Sequence, residues 1–263
     1  SLGASWRVSE ESFMQNQSWL SSLNLKVTWG IQGNVLTNKS PELILYQQGV
    51  ANIYNEYYST ISSIPNPNLS WERTHSWNFG VDMQLFRKVN VNIDYYLRKS
   101  NAILSQKIPW ENGRGEMSVN GGIIYNEGIE FTIALTPINT KNFGLNLSVN
   151  SSKNWNSAGK SSANQEPTLG DYLNGSSERL VKKGYPIGAM WSFAFKGLNP
   201  ENGWPEFKYL ETTEGQSYDG DMTSFLVYSG QKDPYFTGGL NLNIRYRSFT
   251  LGTSFSLLLG GKT

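Results

Sequence analysis

The 263-residue sequence has no cysteine and a single histidine, His75. The first absence removes disulfides, thiolate metal sites and cysteine nucleophiles. The second leaves one side chain for any imidazole chemistry. Charge is scarce as well: 16% of residues are charged, against about 25% in an ordinary soluble domain. The formal net charge is +1, so no basic face is on offer to a nucleic acid. No run reaches the ~18 apolar residues of a membrane-crossing helix. That leaves open a membrane β-barrel, whose strands are apolar on one side only.

What the chain does have is aromatics, 13% of residues, and alternation of period two. In "GIEFTIALTPINTKNFGLNLSVNSS", Ile129, Phe131, Ile133 and Leu135 fall on one face, joined after a turn by Phe143, Leu145, Leu147 and Val149. The other face carries Thr132, Ala134, Thr136, then Gly144, Asn146, Ser148 and Asn150. The same scheme recurs in "SLNLKVTWGIQG", "SWNFGVDMQLF", "VNVNIDYYLR" and "LNLNIRYRSFTLGTSFSLLLG". Helical periodicity is limited to a short piece at Glu10 to Leu20. The polar faces are small and uncharged, unlike a solvated sheet face studded with Lys and Glu.

The connections alternate in length. Short ones fall at 87–88, 137–142 and 247–248, and long ones at 33–69, 105–122 and 156–185. Tight turns at one end and long loops at the other are the pattern of an up-and-down outer-membrane barrel. The arm from Ser70 to Phe86 would run about 56 Å at ~3.3 Å per residue. Tilted by ~45°, it rises about 40 Å, against an apolar band ~25 Å tall. A soluble β-sandwich would alternate in the same way, but its strands average ~5–6 residues.

"NPNLSWERTHSWNFGVDMQLF" followed by "VNIDYYLRKSNAIL" resembles a segment of the SusC/RagA family of TonB-dependent outer-membrane transporters. "GGIIYNEGIEFTIALTPI", "GYPIGAMWSFAFKGLNPENGWPEF" and "DPYFTGGLNLNIRYRSFTLGTSFSLLLGGK" are similar to later segments of that family, in order, from Ser5 to Lys262. The resemblance implies an all-β fold: an antiparallel up-and-down transmembrane β-barrel, of which residues 1–263 hold about ten strands of a 22-stranded type. It implies that the plug, TonB box and signal peptide lie outside this piece. It also implies import of an oligosaccharide or peptide, driven by TonB through the plug, with a SusD-like surface lipoprotein as lid. The apolar face would meet outer-membrane lipid. The stretch 187–211, with "LNPENGW" as a turn, is expected to be wall.

Catalytic patterns are weak. His75 sits inside a strand pattern between Thr74 and Ser76, where a wall histidine is expected rather than a triad member. "GRGEMSVNGG" lacks the Lys-Ser/Thr of a phosphate loop. The acidic pairs Glu10/Glu11 and Glu127/Glu130 give no sign of opposed glycosidase geometry. Asp219 and Asp221 could offer oxygens to calcium, although 6–8 ligands are needed. No other cofactor is expected. Phe86, Phe143 and Phe249 beside the short turns, with Trp29, Trp71 and Tyr95 farther up, would form two interfacial girdles. Tyr54, Tyr57, Tyr58, Trp110, Tyr172 and Trp204 fall in outer loops and are the candidate substrate or partner contacts.

Overall fold

The computed structural model describes every residue except 15, 35–44, 50–57, 109–115, 162–181, 209–224 and 263. Residues 45–49, 58–63, 104–107, 116, 160 and 161 are described by their backbone alone. In chain order the strands are β1 (Leu2–Arg7), β2 (Leu20–Asn34), β3 (Leu45–Gly49), β4 (Tyr58–Ile64), β5 (Glu72–Leu85), β6 (Val89–Lys107) and β7 (Glu116–Asn139). They continue as β8 (Phe143–Ser161), β9 (Ala189–Phe193), β10 (Phe195–Leu198), β11 (Pro205–Phe207), β12 (Leu226–Gln231), β13 (Phe236–Tyr246) and β14 (Phe249–Leu259). One 3-10 turn, Val8–Glu10, follows β1.

Eight strands form one antiparallel ladder in the order β1-β2-β5-β6-β7-β8-β13-β14, and the β3–β4 hairpin joins the same sheet to make ten strands. Pairing aligns the alternation from strand to strand. One row reads Leu23–Met83–Val91–Ile133–Val149–Leu240–Phe255 across seven strands, apolar throughout. The adjacent row reads Asn24–Asp82–Asn92–Thr132–Asn150–Gly239–Ser256 and points the other way. A slip of one residue in any strand would put apolar groups among polar ones, so taking one face out of water would lock the register.

The three tight turns lie at one end. At the β5–β6 turn, Lys88 N–H donates to the Leu85 carbonyl at 2.9 Å, and Phe86 and Arg87 hold φ of 50° and 57°. Both central residues are left-handed, as in a type I′ turn, which matches the strand twist but strains residues that are not glycine. Arg247 at the β13–β14 turn does the same with φ of 52°.

From this end the strands run far outward. The 24 residues of β7 rise about 56 Å at ~3.3 Å each and ~45° tilt. Some 30 Å must therefore stand beyond a ~25 Å apolar band. The projecting part is tied by side chains of the Asn-Pro-Asn-Leu-Ser-Trp-Glu stretch. Asn66 Nδ2 donates to the Ser118 carbonyl at 2.9 Å. Ser70 and Asn120 exchange two bonds of 2.8 and 2.7 Å. Glu72 accepts from Ile103 N–H at 2.9 Å and from Asn34 Nδ2 at 3.0 Å. Ile103 N–H sits at a register shift in the β6–β7 ladder, so the carboxylate replaces a ladder partner the bulge removed.

Two expectations are corrected. Of the stretch 187–211, the described residues 187–208 are not wall: β8 pairs directly with β13, and β9–β12 form two separate two-stranded sheets. The wall has no slot left for them, so they belong to an outer excursion between β8 and β13. Trp71 is not level with Trp29, because Trp29 pairs with Trp77, and Trp71 stands six positions beyond Trp77. Leu145 lies two residues from Phe143 at the tight-turn end, while Ile133 with Val149 occupies the middle row.

Candidate functional site

The sheet presents two faces and one elaborated end. The apolar face has no cover. Ile133, Leu240, Leu257 and Phe255 are exposed, at 37%, 36%, 49% and 60%. Among the described residues no large side chain is fully buried, and the buried apolar ones are only Val8, Leu20, Ala158, Ala189 and Leu226. A sandwich would bury both inner faces in a core; among the described residues nothing stands opposite this sheet. An uncovered apolar face many strands wide requires a non-aqueous neighbour.

Aromatics bound that face. Phe86 and Trp77 are nine positions apart on one strand arm, about 21 Å of height at ~3.3 Å per residue and ~45° tilt. The upper level is a contiguous group: Trp29 and Trp77 at 6.2 Å between ring centroids, Trp77 and Phe79 at 6.2 Å, Phe79 and Tyr95 at 6.4 Å. The lower level holds Phe86 and Phe249, 62% and 80% exposed, with Phe143 and Tyr246 paired beside them. Their spacing fits the two interfaces of a bilayer.

The opposite face is small and hydrogen-bonded. Lys26 forms an ion pair with Asp82, and Asn92 donates to the same carboxylate at 2.7 Å. Gln84 donates to Asn90, Asn78 to Thr28, Thr136 to Asn146 and Tyr96 to Asn154, at 2.9–3.1 Å. Gly128 lets the Tyr96 ring lie flat across β7; a Cβ there would stand 2.5 Å from the ring and 2.9 Å from the Lys153 carbonyl. The result is a smooth polar surface, with short side chains that leave space in a lumen.

At the outer end, the excursion rejoins the sheet where Ala158 N–H donates to the Tyr185 carbonyl at 2.9 Å and Gly184 N–H to the Ala158 carbonyl at 2.8 Å. There it builds its own small core. Tyr185 meets Trp191 edge-on at 4.6 Å and Tyr228 at 5.5 Å. Lys182 Nζ lies 4.8 Å from the Trp191 ring centroid, a cation–π contact. Ala189 is fully buried and Leu226 nearly so. Desolvation, then a hydrogen bond with Tyr235, pushes the Tyr228 phenol up to about 12. This cluster was not singled out from the sequence, because its residues come from three short segments that no single periodic run joins.

The candidate contact residues divide. Tyr54, Tyr57, Trp110, Tyr172, Asp219 and Asp221 lie outside the described residues. Tyr58 opens β4 and is placed by its backbone. Trp204 sits in the β10–β11 turn, 64% exposed, where its carbonyl accepts from Asn199 N–H at 2.8 Å. His75 falls in the row Ile31–His75–Lys99–Tyr125–Ser157 on the apolar side. Ser157, the hydroxyl in that row, is three strands away, about 14 Å at ~4.8 Å per strand. No nucleophile–base pair forms there. Among the described residues no group of three or more His, Asp or Glu could hold a metal.

Comparison with known proteins decides the family. The family model for the TonB dependent receptor-like β-barrel matches residues 2–261. The chain belongs to the TonB-dependent receptor β-barrel family. It is 32% identical to the TonB-dependent receptor SusC of Bacteroides thetaiotaomicron over 98% of its own length and 27% of that protein's. It is 28% identical to the TonB-dependent receptor P39 of Formosa agariphila, over 82% of this chain and 22% of the other. The RagAB peptide transporter shares the fold, with a TM-score of 0.79 at 21% identity, over 98% of this chain and 28% of that one. These likenesses agree with the SusC/RagA resemblance of the motifs. The chain spans about a quarter of the length of the curated relatives it matches. It is therefore a partial, unclosed wall of an outer-membrane barrel, with the tight turns on the periplasmic side and the long connections outside.

Proposed function

We propose that the chain supplies the wall and outer rim of a SusC-type importer, which takes up a bulky oligosaccharide or peptide by TonB-driven transport beneath a SusD-like lipoprotein lid. One observation carries the reading: the two ends are built for different work. The periplasmic end closes with turns of a few residues. The outer end projects some 30 Å and bears an excursion with its own core. A rim of that height, rich in Tyr and Trp, suits a protein lid, since these residues anchor protein interfaces. The polar, short-chained face suits a lumen that passes a large solute or packs against a plug. The family is one of receptors and transporters, and the candidate residues are read here as binding groups, not catalysts.

The test uses the full-length protein in its own membrane. Deleting residues 50–59 should impair lid binding or substrate capture, while the protein still reaches the outer membrane. Uptake of labelled peptides and labelled oligosaccharides, each measured with and without the other as competitor, assigns the substrate. Unaltered uptake with a normally bound lid would refute the role of this loop. Uptake unaffected by loss of TonB would refute the transport reading.

A further inference from the structure

The stretch "NPNLSWE", residues 66–72, reaches the wall only at its last residue, where β5 begins. Just before it, β4 lies parallel to β7, with Ser63 opposite Glu116 and Ile64 opposite Met117. Because β6 stands between β7 and β5, residues 65–71 cross the outer end of β6. They cross on the side of Arg73 and Asn101: Ser70, Trp71, Arg73, Asn101, Asn120 and Ile123 line a cavity of about 380 Å³ there.

The sequence of this strap accounts for its hold. Asn66 folds the segment on itself, since its carbonyl accepts from Leu69 N–H at 3.1 Å and its Oδ1 from Asn68 N–H at 3.0 Å. Pro67 follows Asn66, where its fixed φ suits a turn. Asn66 Nδ2 is then left to donate to the Ser118 carbonyl of β7 at 2.9 Å. Asn120 grips the Ser70 backbone with both halves of its amide, accepting from the N–H at 2.8 Å and donating to the carbonyl at 2.7 Å. A bulge gives it that aim. Ala102 pairs with Gly122 and Ile103 with Asn120, so Gly121 is the extra residue and turns Asn120 toward the strap. Glu72 ends the strap with one oxygen on Ile103 N–H of β6 and the other on Asn34 Nδ2 of β2.

These bonds converge on both ends of one outer connection, which leaves β2 at Asn34 and returns through Asn66 and Ser70. They also hold the outer ends of β6 and β7. The wall in lipid does not require them. Trp71 stands six positions beyond Trp77, about 14 Å above the outer girdle at ~3.3 Å per residue and ~45° tilt. At that height water can satisfy a backbone group, so what the strap adds is position. The β4–β7 pairing is too short to fix the hairpin alone, being two residues long on each strand.

We propose that Asn66, Asn120 and Glu72 are positioning residues: they make the β3–β4 hairpin and the outer ends of β6 and β7 one rigid unit, and this unit is the base on which the lid docks. The docking half rests on the lid proposed above; the rigid unit does not.

The experiment uses the full-length protein in nanodiscs. Spin labels at Gln47→Cys on β3 and Lys99→Cys on β6 report the distance from hairpin to wall, and this chain brings no cysteine of its own. Binding of the fluorescently labelled SusD-like lipoprotein reports docking. The wild type should give one narrow distance distribution. Asn120→Ala should broaden it and, with two hydrogen bonds lost, weaken lid binding roughly tenfold. Asn120→Asp keeps the acceptor for Ser70 N–H and should lose roughly threefold. Thr74→Ala, which removes a 2.8 Å bond to Ser100 inside the outer wall, should change neither readout. A short thiol cross-linker between Ile64→Cys and Met117→Cys should restore lid binding to Asn120→Ala. Unchanged distances in Asn120→Ala would overturn the rigid unit. Broadened distances with undiminished lid binding, or a cross-link that restores nothing, would overturn the docking role. A wild type that binds no lid would refute the function proposed above and the docking role with it, while the distances still decide the rigid unit. Should Asn120→Ala fail to reach the membrane, Asn120→Asp decides.

Discussion

The lower and outer halves of the same strands obey different rules. Below the Trp29–Trp77 row, the rows from Leu23 to Trp29 run without a register shift and each position belongs cleanly to one face; the shifts in this half lie beside the turns, at Leu20/Ser22 and Leu135/Ile138. Above it, the β6–β7 and β7–β8 ladders shift register in mid-strand, at Ala102/Ile103 and Gly122/Ile124, β4 meets β7 in a short parallel bridge, and the side chains of Asn66, Asn120 and Glu72 bond to backbone groups in place of ladder partners. The difference has a physical cause. In lipid nothing but the ladder can satisfy a backbone N–H or carbonyl. In water a side chain or solvent can do so, and irregular backbone becomes affordable. Regularity thus measures depth, and function collects where it breaks down.

The sharpest way to break this comparison is to put the same charge on both faces. Ile133→Arg, in the middle row, should cost roughly 2–4 kcal/mol of folding free energy, falling to about 0–1 kcal/mol for Leu145→Arg near the periplasmic interface. Asn146→Arg, on the lumen side, should fold nearly as the wild type does. Denaturant unfolding of the full-length protein in bilayers ranks the three. Equal costs for Ile133→Arg and Asn146→Arg would mean the faces are misassigned.

Crowding on the polar face comes next. Gly128→Ala should cost about 1–3 kcal/mol, as overpacking does, because the Lys153 carbonyl at 2.9 Å cannot swing away as a side chain might. Gly252→Ala, whose nearest neighbour would be Asn243 Nδ2 at 3.7 Å, should be almost silent by the same assay.

A smaller effect separates the halves directly. Glu72→Gln should cost about 1 kcal/mol by weakening its bonds to Ile103 and Asn34. Its consequence should stay in the outer half: faster hydrogen exchange at Ile103 and easier proteolysis of the outer loops, with unchanged protection around Ile133. Spread of the exchange into the lower rows would show that the halves unfold as one unit.

The smallest is a dependence on pH confined to the excursion. The Tyr228 phenol is raised from its ordinary 10.0 to about 12, so the folded state favours the protonated form. That contribution is full below pH 10 and fades as pH rises from 10 toward 12. Phenolate absorbance should show a late-titrating component that shrinks by one tyrosine in Tyr228→Phe. A titration unchanged by that substitution would assign the shift elsewhere.

Much of the wall was legible in the sequence because its signal is local. Each strand carries its own period of two, and Leu23, Met83, Val91, Ile133 and Val149 each announce a face without reference to any partner. The tight turns at 86–88 and 247–248 and the girdle residues Phe86, Phe249 and Trp29 follow from the same reading. The remainder needed neighbours. "GAMWSFAFKGL" alternates like a wall strand, yet β8 and β13 pair over ten positions and leave it no edge, so it folds outside the sheet. Trp71 and Leu145 have the right faces but their heights depend on cross-strand register, which is set by the turn beginning at Thr140 and by bulges that propensity does not mark. Tyr185, Trp191 and Tyr228 come together only because the excursion returns to Ala158. The sequence alone determined which way each side chain of the wall points, since alternation is a property of one chain's backbone. The tertiary structure alone decided how high each residue stands and which segments are wall at all, because both depend on hydrogen bonds between strands far apart in the chain.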